Sequence, residues 1–362
     1  MTELLKDGYS YEKVRALALD LQSKYPPFQV DNFLKSIFDE RWDDLGLNAR
    51  TRQITTNMRK YLPPNYRDAI GIIDKIVANY SGWSDIFAFI FPDFIEAHEQ
   101  NITDWDFSIA ALARYTIYSS SESAVRPFII ADEERMMAQM YAWSKDENEH
   151  IRRLASEGCR PQLPWTQSLP KFKQDPAPIL PILEQLKTDP SLYVRKSVAN
   201  NLNDISKTHP DLVTKLAQDW YGENDYTNWI VKHGCRTLLK QGNRDVLAIF
   251  GFHDTAIDVS HFAIDKTPIS IGDSITFSFT VSATAPTKIR LEYGVDYVKA
   301  NGKRNRKVFQ ISENALKADE KKSYTKKHAF ADLSTRKHYP GTHSITLIVN
   351  GAEQETLDFE LK

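Results

Sequence analysis

Apolar residues recur every three to four positions through the first two-thirds of the chain. Val14, Leu17 and Leu21, then Ile70, Ile73 and Val77, then Ile109, Leu112 and Tyr115 each line one face at helical spacing. This predicts helix from the start to about residue 250. Breaks fall at Pro26-Pro27, Pro63-Pro64, Pro92, Pro161 to Pro164, Pro176 to Pro181 and Pro210, and each closes a run of helix length.

The helices also repeat. Ile151-Arg152-Arg153-Leu154-Ala155-Ser156, Val194-Arg195-Lys196-Ser197-Val198-Ala199 and Val231-Lys232-His233-Gly234-Cys235-Arg236 each place a cation after an aliphatic anchor, then mostly small and apolar residues. The anchors lie 43 and 37 residues apart, which predicts HEAT-like helix pairs stacked as a solenoid. Val125-Arg126-Pro127-Phe128-Ile129 reads as a degenerate further copy.

Near Gly251 the period changes to two. Ser274–Val281, Lys288–Tyr293, Thr342–Val349 and Glu355–Leu361 alternate, and Asn301-Gly302 and Asn350-Gly351 are turn signals. The predicted architecture is therefore mainly α: a HEAT-like helical-repeat solenoid over 1–250, followed by a small all-β immunoglobulin-like sandwich over 256–362. The Cys and Trp pair of an antibody domain is missing from the second part.

Composition narrows the class. With 41% hydrophobic and 26% charged residues the 362-residue chain is globular. No apolar run approaches a membrane span, and the charged N-terminal stretch has no leader-like apolar core, so a cytoplasmic protein is expected. Cys159 and Cys235 lie far apart and fit no ligand spacing, so neither a disulfide nor a metal site or cofactor is expected. The net charge of −2 is neutral on nucleic acid, but residues 256–362 carry 16 Lys and Arg against 13 Asp and Glu. Local cationic patches decide such binding.

The densest polar segment is His150 to Trp165. On a helix, Arg153, Glu157 and Arg160 fall at i, i+4 and i+7, along one face. That spacing equally describes a solvated salt-bridge stripe. In the next two repeats Lys196, Asn200 and Asp204, and then Lys232, Arg236 and Lys240, are spaced alike. Stacked in register, such faces make a cationic groove with carboxylates set in it, suited to a phosphate backbone. Glu122 follows Ser119-Ser120-Ser121 as if in a first helical turn. Trp165 follows Pro161 and Pro164 at a helix exit, where it is either a core residue or a platform for a sugar or base.

These residues carry a resemblance. Glu122 with Ala124 to Ile129, Glu149 through Trp165, and Ser197 to Asp204 are similar to the AlkC-type DNA glycosylases of the HEAT-like-repeat superfamily that also contains AlkD. Some of these enzymes carry a C-terminal immunoglobulin-like domain. The resemblance covers about the first 250 residues. It implies excision of bases alkylated at N3, 3-methyladenine and 3-methylcytosine, from double-stranded DNA, with no need to flip the base; a monomer is expected. It also implies that Glu122, Glu157 and Asp204 form the acidic cluster, with Trp165 near the lesion. The stripe spacing adds Arg152, Arg153, Arg160, Lys196, Lys232 and Arg236 as phosphate contacts. Lys303, Arg304, Arg306 and Lys307, beside the Asn301-Gly302 turn, form a second cationic surface, with Lys317, Lys321, Lys322, Lys326 and Lys327 nearby. A repeat scaffold that binds protein, or DNA without cleaving it, is the competing expectation.

Overall fold

A computed structural model describes residues 5–81, 86–99, 101–253, 257–332 and 337–362. Among these are sixteen α-helices followed by seven β-strands. Pro26-Pro27, Pro63-Pro64, Pro161 and Pro164 lie between helices, as expected, whereas Pro170, Pro181 and Pro210 each occupy a first turn, where the missing N–H costs nothing. Pro92 likewise sits in the first turn of the Ile90–Ala97 helix and is not a break.

The repeat anchors fall where the period places them. Ile151, Val194 and Val231 lie on the helices Glu149–Gly158, Leu192–Ile205 and Asp225–Gly234, each the second of a pair after Glu133–Trp143, Leu180–Leu186 and Pro210–Trp220. Val194 and Val231 are buried, while Ile151 is partly covered. Gly158 closes the first of these helices at a point of close approach. A Cβ there would come within 2.6 Å of Val125 Cγ2 and 2.9 Å of the Met140 methyl, so only glycine lets the helix settle against its neighbours.

The chain divides into two compact units, residues up to Thr208 and His209–Lys362. The change from helix to strand falls near residue 250, as the alternation predicts, but the last helices belong with the sheets. Within this second unit Lys232 Nζ donates to Glu313 Oε2 at 2.6 Å, Asn350 Nδ2 to the His253 carbonyl at 2.9 Å, and Gly242 abuts Gly351.

The strands form two antiparallel sheets, β1 (Ile257–Ile264), β2 (Ser274–Ala283) and β5 (Lys321–Ala329) in the order β1-β2-β5, and β4 (Arg304–Leu316), β3 (Thr287–Val298), β6 (Gly341–Val349) and β7 (Ala352–Leu361) in the order β4-β3-β6-β7. Alternate residues such as Phe277, Phe279, Val281, Leu291, Tyr293, Val295, Ile345 and Leu347 fill the space between them. Asn301-Gly302 and Asn350-Gly351 turn the β3–β4 and β6–β7 hairpins, with Gly302 and Gly351 at positive φ.

Three strands escape the alternation rule. Strands β1, β4 and β5 lie at sheet edges, and their more exposed sequences, cation-rich in β4 and β5, show little apolar period. The segment expected as a basic hairpin tip is therefore mostly strand: Arg304, Arg306 and Lys307 are among the first residues of β4, and only Lys303 belongs to the turn. Lys321, Lys322, Lys326 and Lys327 lie on β5. Charge on an exposed edge keeps it from pairing with another chain, which gives these lysines and arginines a role in the fold itself.

Candidate active site

The cation that recurs after each anchor has a structural use. Arg152 grips Asp189 with two nitrogens, Nε to Oδ2 at 2.6 Å and Nη2 to Oδ1 at 3.2 Å, while Nη1 donates to the carbonyls of Asp146 and Glu147 at 2.9 and 2.8 Å. Arg195, its counterpart one repeat on, donates to the carbonyls of Asp189 and Pro190 at 2.9 and 2.7 Å. Each arginine thus ties down the loop that enters its own helix. Arg152 is a loop clamp in the free protein, not a cation presented for phosphate.

The stripes are also shorter than a straight helix implies. Arg160 lies two residues beyond the end of its helix at Gly158, and the Lys232, Arg236, Lys240 row is split between two helices at Cys235. Along Leu192–Ile205, eight residues overshoot two turns by about 80°. Lys196 is therefore exposed, Asn200 half-buried and Asp204 buried. Arg236 donates to the His233 carbonyl at 2.7 Å.

What this rotation brings together is a chain of alternating charge. Arg153 Nη1 pairs with Glu122 and donates to Ser120 Oγ at 2.7 Å, while Nη2 stands 3.6 Å from Glu157 Oε1. Arg160 Nη1 donates to the same Glu157 oxygen at 2.6 Å, and its Nε to Asp204 Oδ2 at 2.8 Å. Lys207 ends the row, 2.9 Å from Asp204 Oδ1. Glu122, Glu157 and Asp204, which lie 35 and 47 residues apart along the chain, are joined through two arginines. The order is also one of depth, the side chains being 24%, 7% and 2% exposed respectively.

Burial works against charge on Arg153 and Arg160, but the carboxylates beside them outweigh it and raise both above the ordinary arginine value. The Tyr193 ring lies under the Arg153 guanidinium, 5.1 Å from centroid to Cζ, and burial pushes its own phenol well up.

Glu122 is not in a helix. Residues 122–125 form a turn and the helix begins at Arg126, because Pro127 fits a first turn and not an interior. Glu122 also accepts from Ser120 Oγ. Arg126 is fully buried and turns inward. Its Nη1 donates to the Gly158 carbonyl at 3.0 Å, its Nη2 to the Arg160 carbonyl at 3.1 Å, and its Nε to the Gln167 carbonyl. Burial lowers this guanidinium to about 10, so it remains charged at neutral pH.

The segment held this way carries Trp165. Its side chain is 75% exposed and its φ is +63°, a left-handed conformation that costs a non-glycine residue about 1 kcal/mol or more. Trp165 therefore projects from the surface and is not a core tryptophan. With Glu122, Pro164, Phe89, Asp93 and Asn48 it lines a cleft of about 490 Å³. Cys159, next to this network, and Cys235 are both buried free thiols, and burial pushes each up to about 12.

Residues 92–238 match the family described as DNA alkylation repair enzyme, and residues 258–362 match the C-terminal Ig-like domain of the YhaZ proteins. The chain is 46% identical to YhaZ of Bacillus subtilis (strain 168) over 99% of both sequences. It belongs to the DNA alkylation repair enzyme family. Within that family it superimposes on the Pseudomonas fluorescens alkylpurine DNA glycosylase AlkC, solved bound to DNA containing an abasic site analog, with a TM-score of 0.94 and 36% identity, over 99% of this chain and 100% of that one.

Arg126, Ser120, Tyr193, Lys207 and Asn48 escape a reading of spacing alone. Only Arg126 has a signal there, as the cation of the degenerate repeat.

Two substitutions separate scaffold from platform. Arg126→Met leaves three buried carbonyls without their donor and is expected to destabilise the protein by roughly 3 kcal/mol or more in urea unfolding. A loss below about 1 kcal/mol would show that the brace is dispensable. Trp165→Ala should change stability by less than about 0.5 kcal/mol; a large drop in thermal midpoint would return Trp165 to the core.

Proposed function

We propose that this chain is a monofunctional DNA glycosylase that hydrolyses the N-glycosidic bond of cationic N3-alkylated bases, 3-methyladenine and 3-methylcytosine, in double-stranded DNA, and that it does so without a base-flipping pocket. The observation that carries the reading is the Glu122–Arg153–Glu157–Arg160–Asp204 row beside an exposed Trp165, together with end-to-end similarity to a solved alkylpurine glycosylase.

The chemistry suits these groups. Alkylation at N3 makes the base cationic, so it departs as a neutral molecule when the bond from the anomeric carbon to nitrogen breaks. The bond's electron pair leaves with the base. What is left is an oxocarbenium-like sugar, to which water adds through oxygen while its proton passes to a carboxylate or to solvent. Carboxylates fixed in place stabilise the sugar cation and orient the water, as in glycoside hydrolysis. Pairing with two arginines compensates the burial of Glu157 and leaves the row little freedom to reorganise during the reaction. Glu122, the most exposed of the three and a wall of the cleft, is the carboxylate offered first to a lesion. Asp204, the deepest, fixes Arg160 and through it Glu157.

DNA contact in this reading comes from Lys196 and the rim around Trp165 in the first unit. In the second it comes from Lys232, Arg236 and the β3–β4 cations. Arg306 is engaged with Asp296 and Glu353, and Arg304 with Ser344 Oγ at 2.8 Å, so Lys303, exposed at the turn, carries more of the proposed grip than either arginine.

Release of methylated base from alkylated duplex, identified by mass, tests the whole reading; its absence would leave a DNA- or protein-binding repeat scaffold. Glu122→Gln, Glu157→Gln and Asp204→Asn are each expected to slow single-turnover excision by about 10²–10³. Asp204→Asn and Glu157→Gln should also lose stability, because each leaves Arg160 less compensated. Near-wild-type rates in all three would sink the mechanism. Neutralising Lys303, Arg304, Arg306 and Lys307 together should weaken binding to any duplex and flatten the log–log salt dependence by roughly 0.9 for each phosphate no longer neutralised. An unchanged slope would leave these residues as edge protection alone.

A further inference from the structure

Trp165 holds a backbone conformation that its side chain disfavours, so something outside the residue must fix it. Two restraints come from its own neighbourhood: Arg126 holds Gln167, and the Leu169 N–H donates to the Pro161 carbonyl at 3.2 Å. A third comes from 117 residues away. Asn48 Nδ2 donates to the carbonyl of Trp165 itself at 2.8 Å.

Asn48 stands in the first turn of the Leu47–Tyr61 helix, and that helix is itself well anchored. One turn on, Arg52 pairs with Asp93 at 2.9 Å and with Glu96 at 3.0 Å, and Thr55 Oγ1 donates to Asp93 Oδ2 at 2.6 Å. Asp93 and Glu96 lie on the Ile90–Ala97 helix. The donor on Asn48 therefore comes from a fixed helix pair on the side of the cleft that carries neither Glu122 nor Trp165.

We propose that Asn48 is a positioning residue for the lesion-reading platform: by holding the Trp165 carbonyl from across the cleft, it sets the direction in which the indole projects. It touches the reaction only through Trp165. The inference rests on the glycosylase reading, since it assigns Asn48 a task in handling damaged nucleotides.

A double-mutant cycle tests it. Asn48→Ala removes one exposed side-chain amide, and the folded chain should keep its thermal midpoint. Its single-turnover excision rate should fall about three- to tenfold, the worth of one hydrogen bond, while affinity for undamaged duplex stays within about twofold. Asn48→Gln, which keeps an amide donor, should recover part of the rate. In a Trp165→Ala background, Asn48→Ala should have no further effect.

The proposal fails if Asn48→Ala excises at the wild-type rate, or if its effect adds in full to that of Trp165→Ala, which would make Asn48 a general support of the helix or a direct DNA ligand. Failure of the glycosylase reading looks different, because the wild-type protein would then release no base at all.

Discussion

The site depends on one buried arginine. Arg126 has no carboxylate among its hydrogen-bond partners; its guanidinium is spent on three backbone carbonyls, those of Gly158, Arg160 and Gln167. A charged donor with five N–H groups in a rigid fork is suited to gathering chain that has left its helix and lost its own donors. Those carbonyls belong to the stretch in which the Glu149–Gly158 helix ends and the Trp165 loop begins. Fixing it fixes Arg160, hence the bridge to Asp204, and fixes the exit from which Trp165 projects.

The alternating row of charge then solves a conflict. Three carboxylates in a poorly solvated site repel one another, and burying a charge without a partner is costly. Placing Arg153 and Arg160 between them offsets both effects. The cost is that the arginines cancel much of the field the carboxylates project. Depth resolves this: only Glu122, at the end of the row, is substantially open to solvent, while the inner members serve as its support.

Much of this was legible beforehand, and the exceptions have physical causes. The helical period, the repeat of about forty residues and the alternation in β2, β3, β6 and β7 arise from burial of apolar faces, which leaves a direct trace in residue order. The edge strands β4 and β5 bury little and carry lysine and arginine, so their order says charge before it says strand. The carboxylates stood out through a family resemblance; helical spacing alone misplaced Asp204, because a row at every fourth residue drifts around its helix, and the serine cap signal set Glu122 in a helix that starts four residues later. The repeat cations were visible but their use was not, since the partners of Arg152 and Arg195 are largely backbone carbonyls, which every sequence contains. Asn48 has no trace at all, because a single amide 117 residues from its acceptor alters no local pattern.

The two cysteines acquire a meaning from the proposed task. An enzyme that meets methylated DNA works where methylating electrophiles are present, and the nucleophile such reagents seek in a protein is the thiolate. Cys159 and Cys235 are the only thiols in the chain. Both are enclosed, and burial pushes them up to about 12, which favours the thiol over the reactive anion near neutrality. Enclosing Cys159 beside the candidate site thus leaves little thiol chemistry to lose to such reagents if the proposed task is right.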